Sequence, residues 1–425
     1  MLSSADRALI ARDPHVPGLP LLLDDEALGD WLGAPVRRRY VRYKPGTGCV
    51  LGLDVAGRRA FVVAYAHGGA GKLGKAVDRS PSTALLAVDP ARLLLAGLPA
   101  ADRDLPALGR LLAEPSSDLG ASSSRDRLLG RVLPGRDLAG ADLRLLSHKP
   151  QRRWVGLLTP SSGEPVVLRV HRPTDSDALL RSAMLLSAGQ PGTPQLLGSH
   201  VRAGVIAMTW LTGEELHGLL AVERATAEQL RAAGAALAVL HARPPGLLVH
   251  RTAADDHSAV TRAAAAVGAL VPVLAGRAEA LAGRLIGQFS DEHRPLVTVH
   301  GDFSADQVVL RDDGSAGLVD LDAVAAGEAA LDLGSAIAAL SCSALLGNGP
   351  HDVAGTVHLL LDGYAEVAPL LAPDRLDLHT CAALLRRAAE PFRLCVADWA
   401  LQVERTLNLA EELYQARAQP GQVQR

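Results

Sequence analysis

The chain has 425 residues, 48% of them hydrophobic, which is enough for two or three domains with buried cores. Its formal net charge of −3 gives no sign of a nucleic-acid partner or an anionic-membrane partner. The four cysteines, Cys49, Cys342, Cys381 and Cys395, lie far apart without metal-ligand spacing, so we expect reduced thiols in a cytoplasmic protein.

The first 36 residues form a mixed segment in which one short helix is predicted around 24–33. No apolar run is followed there by a small-residue cleavage site, so we expect no signal peptide. The longest uncharged run, 333–350, is broken by Gly, Ser, Asn and Pro and therefore predicts no transmembrane helix.

Two β-rich stretches, 42–65 and 147–170, share a pattern at a constant offset. The identical positions pair as follows: Lys44 with Lys149, Pro45 with Pro150, Val50 with Val155, Leu53 with Leu158 and Val62 with Val167. Two explanations stay open at this point. The pattern indicates either an internal duplication or two ordinary hairpins that share a Lys-Pro turn.

The segment between the two stretches contains candidate helices and a candidate linker. Apolar periodicity predicts helices at 83–96 and 104–113. The run 114–124 that follows is rich in Ser and Gly and poor in apolar residues. It predicts a flexible linker and a domain boundary near residue 126.

The second β-rich stretch ends in a predicted strand at 166–170. Alternation places Val167 and Arg169 on one face of this strand. Leu168 and Val170 then lie on the other face. A helix is predicted at 176–188, and a further strand begins at Val205 and ends at a glycine.

Thr226 and Gln229 have the spacing of a capping box, which predicts the start of a helix that runs to about residue 243. We interpret His241 near its end as a buried structural histidine. Further Ala/Leu-rich helices are predicted within 258–289 and 351–415.

The most informative stretch is 296–333. Two β-branched runs flank a polar loop with His300, Asp302 and Gln307, and a Gly-containing turn leads into a third apolar run that ends on Asp320. This spacing of His, Asp, amide and second Asp is that of the protein-kinase catalytic loop. Phosphoryl transfer needs oxygen ligands for Mg²⁺ and a free carboxylate for the acceptor alcohol. A surface hairpin with Asp residues in its turns is the alternative.

This stretch resembles the aminoglycoside phosphotransferase and choline kinase-like family. Three motifs carry the resemblance: His300-Gly-Asp302-Phe-Ser-Ala-Asp-Gln307, Val319-Asp320-Leu-Asp322 and Ala330-Leu-Asp332-Leu-Gly. The resemblance covers about residues 140–400. It implies an α+β, two-lobed protein-kinase-like fold with a small β-rich lobe and a large helical lobe, here with an extra N-terminal small-lobe-like unit. We therefore expect a cap at 1–126, a nucleotide-covering lobe at 127–210 and a helical catalytic and substrate lobe at 211–425.

By the family pattern Asp302 resembles the catalytic base, Gln307 and Asp320 resemble the metal ligands, and Asp332 resembles a structural acid that braces the loop. The family usually has Asn where this chain has Gln307. Gln keeps the amide oxygen on a longer arm, and the maltokinase branch also uses it. The resemblance implies Mg²⁺ as cofactor and ATP or GTP as co-substrate.

The strand that carries a phosphate-binding Lys in kinases has Arg169 here, and no lysine follows Lys149 in the chain. Arg169 is thus the candidate nucleotide-binding cation, the alternative being an exposed strand arginine. Lys149 and Arg152 in the preceding turn are further nucleotide-binding candidates. The helix at 176–188 has no Glu to pair with the cation, and Asp177 lies too near its start to replace one. The lobes would hinge at 209–211, where the family binds adenine.

The resemblance implies an enzyme that moves the γ-phosphate of ATP or GTP to a hydroxyl of a small, aminoglycoside- or sugar-like molecule, with no nucleic-acid or membrane partner. A peptide Ser/Thr kinase of natural-product biosynthesis is one alternative, since the N-terminal unit offers a docking place. A pseudokinase binding module is another, suggested by the missing Lys and Glu. The C-terminal charges, among them Arg386, Arg387 and Glu390, are explained either by an acidic wall for a cationic substrate or by solvated helix faces.

Overall fold

The computed structural model describes residues 2–113, 123–138, 140–187, 192–291, 295–369 and 371–417. The chain divides into two compact units. The first comprises Met1–Arg181, Gln195–Trp210 and Phe392–Asp398, and the second comprises Ser182–Pro194, Leu211–Pro391 and Trp399–Arg425. After Trp210 the chain passes from the first unit to the second, within the segment where the sequence predicts the hinge.

The first unit begins with three helices, α1 (Ser4–Arg12), α2 (Leu19–Leu23) and α3 (Asp25–Leu32). The last of these is the helix predicted around 24–33. The side chain of Asp24 caps its N-terminus by accepting hydrogen bonds from two backbone amides, and Gly33 ends it in the left-handed conformation.

Two five-stranded antiparallel sheets follow. The first contains β1 (Val36–Lys44), β2 (Gly48–Val55), β3 (Arg58–Tyr65), β4 (Leu85–Asp89) and β5 (Leu94–Gly97). The second contains β6 (Asp142–Lys149), β7 (Arg153–Thr159), β8 (Val166–His171), β9 (Leu196–His200) and β10 (Val205–Thr209). Their strand orders are β1-β2-β3-β5-β4 and β6-β7-β8-β10-β9, so the same topology occurs twice.

The shared topology supports a duplication of one five-stranded unit, which stays our proposal. In both sheets a three-stranded meander is followed by a helix, and the last strand then inserts between the third strand and the fourth. Two hairpins that shared only a Lys-Pro turn would have no reason to repeat this insertion. The helices that follow the two meanders are α4 (Ala70–Arg79) and α7 (Ser176–Ser187), the latter close to the predicted 176–188.

The prediction of a helix at 83–96 is wrong, because β4 and β5 occupy this segment. Pro90 interrupts the apolar run with a turn in which Asp89 accepts hydrogen bonds from Arg92, and each half of the run then pairs as a strand. The helix predicted at 104–113 is reduced to α5 (Leu108–Leu111). The predicted linker at 114–124 lies largely outside the described residues.

Alternation along β8 is as predicted. Val166, Leu168 and Val170 are buried in one hydrophobic cluster with Trp154, while Val167 and Arg169 take the other face. Helix α6 (Ser124–Val132) packs into the same cluster.

The rest of the chain is mainly helical. Its elements are β11 (Glu214–Glu215), α8 (Leu216–Ala221), α9 (Ala227–His241), α10 (Ala253–Leu270), α11 (Ala275–Ile286), β12 (Val297–Val299), β13 (Val308–Leu310), β14 (Ala316–Leu318), β15 (Ala325–Gly327), α12 (Ala329–Leu345), α13 (Val353–Ala365), α14 (Pro373–Arg387), α15 (Glu390–Arg393) and α16 (Trp399–Arg417). The capping box of Thr226 and Gln229 is present at the start of α9. The chain is thus α+β, with the two large sheets in one unit and most of the helices in the other. No helix of the described ranges is long and apolar enough to cross a membrane.

Candidate active site

The loop between β12 and β13 is held by a buried carboxylate. Asp332, in the first turn of α12, is 0% exposed and accepts hydrogen bonds from the backbone amides of His300 and Gly301, the latter at 2.8 Å. His241 Nε2 lies 3.0 Å from the same carboxylate, and its Nδ1 lies 2.9 Å from the Tyr364 hydroxyl. A chain of buried polar contacts therefore fixes the backbone immediately before Asp302.

The surroundings of Asp332 favour its ionised form. Burial by itself would raise the pKa of this carboxyl group. The hydrogen bond from His241, the charges of His241 and His300 and the amide of Gly301 outweigh burial, so the pKa lies below its ordinary value.

Gly301 is required by its backbone conformation and by its surroundings. Its φ of +87° lies in the left-handed region, and a Cβ atom at this position would lie 2.1 Å from the carbonyl oxygen of Ala323. The loop can therefore turn towards Asp302 only with glycine at this position.

The predicted strands around the loop are confirmed as β12, β13 and β14. β13 pairs with β14 as an antiparallel hairpin, whereas β12 pairs with β15 instead of β13. The Val319 amide donates to the Gln307 carbonyl at 2.9 Å, and His300 Nε2 lies 2.9 Å from the Val319 carbonyl. These bonds place Gln307 and Asp320 at the same end of the hairpin, next to the loop.

Asp302, the predicted base, is exposed. Within the described ranges its carboxylate makes no hydrogen bond and no ion pair. Phe303, the next residue, is 1% exposed and anchors the loop in the hydrophobic core of the second unit. A rigid backbone thus presents a carboxylate whose oxygen atoms are free to accept a proton.

The two predicted metal ligands have oxygen donors and constrained positions. Asp320 has φ +63° and ψ 43°, a left-handed conformation that is uncommon for a residue with a side chain and costs about 1–3 kcal/mol. The side-chain oxygen of Gln307, which is 7% exposed, accepts a hydrogen bond from the Ser304 amide at 3.1 Å. An amide oxygen has two lone pairs, so one remains for a metal ion.

This donor set fits Mg²⁺. No group of three or more His, Cys, Asp or Glu residues that could hold a metal ion occurs in the described part of the chain. Mg²⁺ in nucleotide sites is usually bound by one or two protein oxygens together with phosphates and water. One carboxylate and one amide oxygen, from Asp320 and Gln307, match that pattern.

The predicted nucleotide-binding residues all lie in the first unit. Arg169 on β8 is 8% exposed, so the alternative of an exposed strand arginine is wrong. Lys149 and Arg152 are exposed at the two sides of the β6–β7 turn. At the centre of this turn, Gln151 donates its backbone amide to the buried Asp102 at 2.7 Å and accepts from Arg42 through its side chain, also at 2.7 Å.

In the kinase pattern the helix after this strand supplies a Glu that pairs with the cation, and α7 contains no Glu. Asp177, the one acidic residue of α7, is exposed. The missing Glu therefore stays a departure from the kinase pattern after the fold is known.

Three of the C-terminal acidic residues are paired with arginines. Arg277 forms ion pairs with Glu404 and Glu411, and Arg387 pairs with Glu390 at 3.1 Å. Several acidic residues that could have formed a wall for a cationic substrate are thus neutralised by arginine.

Sequence reasoning missed Arg251 and Asp256, which form an ion pair at 2.9 Å. The backbone amide of Arg251 donates to Ala326 of β15, the strand that pairs with β12. No motif marks these two residues. Their position beside β15, which pairs with β12, follows only from the fold.

Comparison with known proteins agrees with this geometry. A model of the phosphotransferase enzyme family matches residues 150–370, more than half of the chain. A search of curated proteins found no match.

Two solved structures are similar over most of their length. Choline kinase from Cryptosporidium parvum Iowa II shares 10% identity, covering 69% of this chain and 95% of its own, with a TM-score of 0.50. Amicoumacin kinase hAmiN, solved in complex with AMP-PNP, Ca²⁺ and Ami, shares 12% identity, covering 67% of this chain and 92% of its own, with a TM-score of 0.50. At these identities the similarity shows the fold, which is protein-kinase-like as predicted.

The environment of Asp332 gives a testable prediction. Asp332→Asn removes the charge that His241 and two amides stabilise, so we expect a loss of about 3–5 kcal/mol in the free energy of unfolding, measured by urea denaturation near neutral pH. Because its folded pKa is depressed, Asp332 contributes stability above the ordinary carboxyl pKa of about 4 and loses it as the pH falls through the folded value.

The difference between wild type and variant should therefore shrink at acidic pH. The exposed Asp312→Asn is the matched control and should unfold like wild type. An Asp332→Asn variant of wild-type stability at neutral pH would contradict the bracing role.

Proposed function

Because this chain belongs to the phosphotransferase enzyme family, we propose that it moves the γ-phosphate of ATP or GTP to a hydroxyl of a small molecule that is aminoglycoside- or sugar-like. The chain is a phosphotransferase with an alcohol group as acceptor. The observation that carries the proposal is the exposed carboxylate of Asp302, which has no partner among the described residues and lies on a loop that Asp332 and Gly301 hold in one conformation.

In the proposed reaction Asp302 holds the acceptor hydroxyl and takes its proton as the oxygen attacks the γ-phosphorus. The bond between that phosphorus and the β–γ bridging oxygen breaks, and the nucleoside diphosphate leaves. Proton transfer to a positioned base contributes about 10²–10⁴-fold in rate, and positioning contributes much of the rest.

Asp320 and Gln307 would hold Mg²⁺, which when bound offsets the charge of the nucleotide phosphates. Gln307 is fixed for this role by its bond to Ser304, and Asp320 by the hairpin end. The left-handed backbone of Asp320 supports the assignment, since strained residues are retained where a side chain must point in one direction.

Arg169, Lys149 and Arg152 are our candidates for contacts to the nucleotide phosphates. Burial of Arg169 restricts its rotamers, which suits a clamp on an anion. Lys149 and Arg152 are exposed and lie on a turn that Asp102 anchors through the amide of Gln151.

Membership of an enzyme family argues against the pseudokinase alternative. The oxygen donors retained at Asp302, Gln307 and Asp320 argue against it as well. We also propose a cytoplasmic location, where ATP is available, because the cysteines are free thiols and three of the four are buried.

The first prediction concerns the base. Asp302→Asn keeps the size of the side chain but cannot accept the proton, so we expect turnover to fall about 10²–10⁴-fold with nucleotide affinity largely unchanged. Turnover is measured by radiolabelled ATP on the best acceptor, and affinity by calorimetry. Asp312→Asn, an exposed residue of the neighbouring hairpin turn, serves as control. Wild-type turnover in Asp302→Asn would exclude it as the base.

The second prediction concerns the metal ligand. Asp320→Ala removes the one predicted carboxylate ligand, so Mg²⁺-dependent ATP affinity should fall about tenfold or more. Calorimetric titrations with and without Mg²⁺ separate this loss from any change in metal-free binding. A Mg²⁺ dependence equal to that of the Asp312→Ala control would place the metal elsewhere.

The third prediction concerns the strand cation. Arg169→Ala should weaken ATP binding by about 1.5–3 kcal/mol, the value of a charge-assisted hydrogen bond. Arg169→Lys should recover part of the loss because the charge remains. Arg144→Ala, an exposed arginine on β6 of the same sheet, is the control. If Arg169→Ala binds ATP as the control does, the nucleotide cation lies elsewhere.

A further inference from the structure

The β6–β7 turn, which carries two of the proposed phosphate contacts, lies against the first sheet. A Cβ atom at Gly52 of β2 would be 3.4 Å from Cδ of the buried Pro150, so this strand lies directly beneath the turn. The rings of Phe61 on β3 and His148 at the end of β6 meet edge to face, with their centroids 6.0 Å apart. Gly52 and Phe61 are partners in the register of β2 and β3, so both contacts fall at one place on the sheet. The first sheet is therefore the base on which the turn rests.

A buried carboxylate from the end of the same sheet holds the turn. Asp102, which is 2% exposed, follows β5 and the short helical turn Pro99–Ala101. Its Oδ2 accepts the Gln151 amide at 2.7 Å and lies 3.2 Å from His148 Nε2. Arg42 of β1 donates to the Gln151 side chain, also at 2.7 Å. Gln151 is thus fixed through both its backbone and its side chain.

The bonds to Gln151 select a conformation that the turn would not favour alone. Its φ of +60° lies in the left-handed region, which is unfavourable for a residue with a side chain. The Arg152 amide closes the turn by donating to the Lys149 carbonyl at 3.0 Å. Both cationic side chains are exposed on either side of the fixed residue. Loss of the bond to Asp102 should therefore release the backbone that sets the positions of the two cations.

The β1–β2 turn of the first sheet is held in the same way. There Asp13, which is 5% exposed, accepts the Gly46 amide at 2.8 Å and the Tyr43 hydroxyl at 2.7 Å. In the sequence repeat Gly46 corresponds to Gln151, and Tyr43 corresponds to His148. Gly46 has a φ of +63°, which glycine adopts without steric cost. The brace therefore occurs in both copies, but the second copy depends on it more because its braced residue has a side chain.

The two turns differ in the charges that they carry. The exposed residues at corresponding places are Lys44 and Thr47 in the first turn and Lys149 and Arg152 in the second. The second turn thus has a cation on each side of its braced residue, and the first turn does not. Stabilisation of the fold explains a brace in both turns equally. In the second turn the brace also fixes the separation of two positive charges, which two contacts to one anion require.

We propose that Asp102 is a positioning residue for the nucleotide, because it holds Lys149 and Arg152 at the places from which they contact the phosphates. A turn that is already ordered loses less conformational freedom when it binds an anion, and charges placed in advance need no reorganisation. The N-terminal sheet then serves nucleotide binding as the base of the turn. This inference rests on the proposed function, because it takes Lys149 and Arg152 as phosphate contacts.

The test compares the two braces in the full-length protein. Asp102→Asn should raise the Kd of ATP about 5- to 100-fold, the range for ordering two long side chains on binding, and leave adenosine binding unchanged. Asp13→Asn removes the corresponding brace from the first turn and should bind both ligands as wild type does. Calorimetry with Mg²⁺ measures the affinities. Urea denaturation shows whether the two variants are folded and similarly destabilised.

A second experiment shows whether Asp102 acts through the cations. The double variant Lys149→Ala/Arg152→Ala should bind ATP more weakly than wild type. Adding Asp102→Asn to it should change the Kd of ATP by no more than about twofold, since the residues through which Asp102 acts are already absent. Arg42→Met removes the bond to the Gln151 side chain and should also weaken ATP binding. This variant carries the test if Asp102→Asn does not fold.

Several results would overturn the proposal. It fails if Asp102→Asn, or Arg42→Met in its place, binds ATP as Asp13→Asn does. Equal losses of ATP and adenosine affinity would show a merely structural role, as would a full further loss on adding Asp102→Asn to the double variant. Failure of the proposed phosphate contacts is separate. It would appear as normal ATP binding by Lys149→Ala/Arg152→Ala, and the inference would then fall with those contacts.

Discussion

Three hydrogen-bond donors meet at the buried carboxylate of Asp332, and the geometry of the loop that carries Asp302 depends on this convergence. The amides of His300 and Gly301 come from the loop itself, and the imidazole of His241 comes from the end of α9. In a dry environment each of these bonds is strong, and each would be costly to leave unmade. A single ionised residue thereby joins two helices and the loop.

The bracing explains how Asp302 can be exposed and still well positioned. Among the residues that the structure describes, none bonds to its carboxylate, so its orientation comes from the backbone before it and from the buried Phe303 after it. If Asp302 is the base, a carboxylate without hydrogen bonds to the described residues keeps both oxygen atoms available for the acceptor hydroxyl. The residues that hold the loop and the proposed base are therefore different residues.

Within the first unit, a buried carboxylate fixes the turn that carries two of the proposed nucleotide-binding cations. Asp102, at the end of the first five-stranded unit, is 2% exposed and lies 3.2 Å from His148 Nε2 while it accepts the amide of Gln151. The turn that carries Lys149 and Arg152 is thus fixed from the first sheet. If these cations meet the nucleotide phosphates, the extra sheet acts on nucleotide binding without touching the nucleotide.

The local chemistry of the sequence was enough to predict the strands and loop around Asp302, because turn residues and a fixed spacing act over short distances. The capping box at Thr226 and the alternation along β8 were predictable for the same reason. The segment 83–96 was not, since a run of Leu and Ala suits either a helix or a strand until pairing with β3 decides. Burial of Arg169 and the contact between Asp102 and Gln151 also required the tertiary structure. Charges and contacts between residues far apart in the chain are set by packing, which no local pattern records.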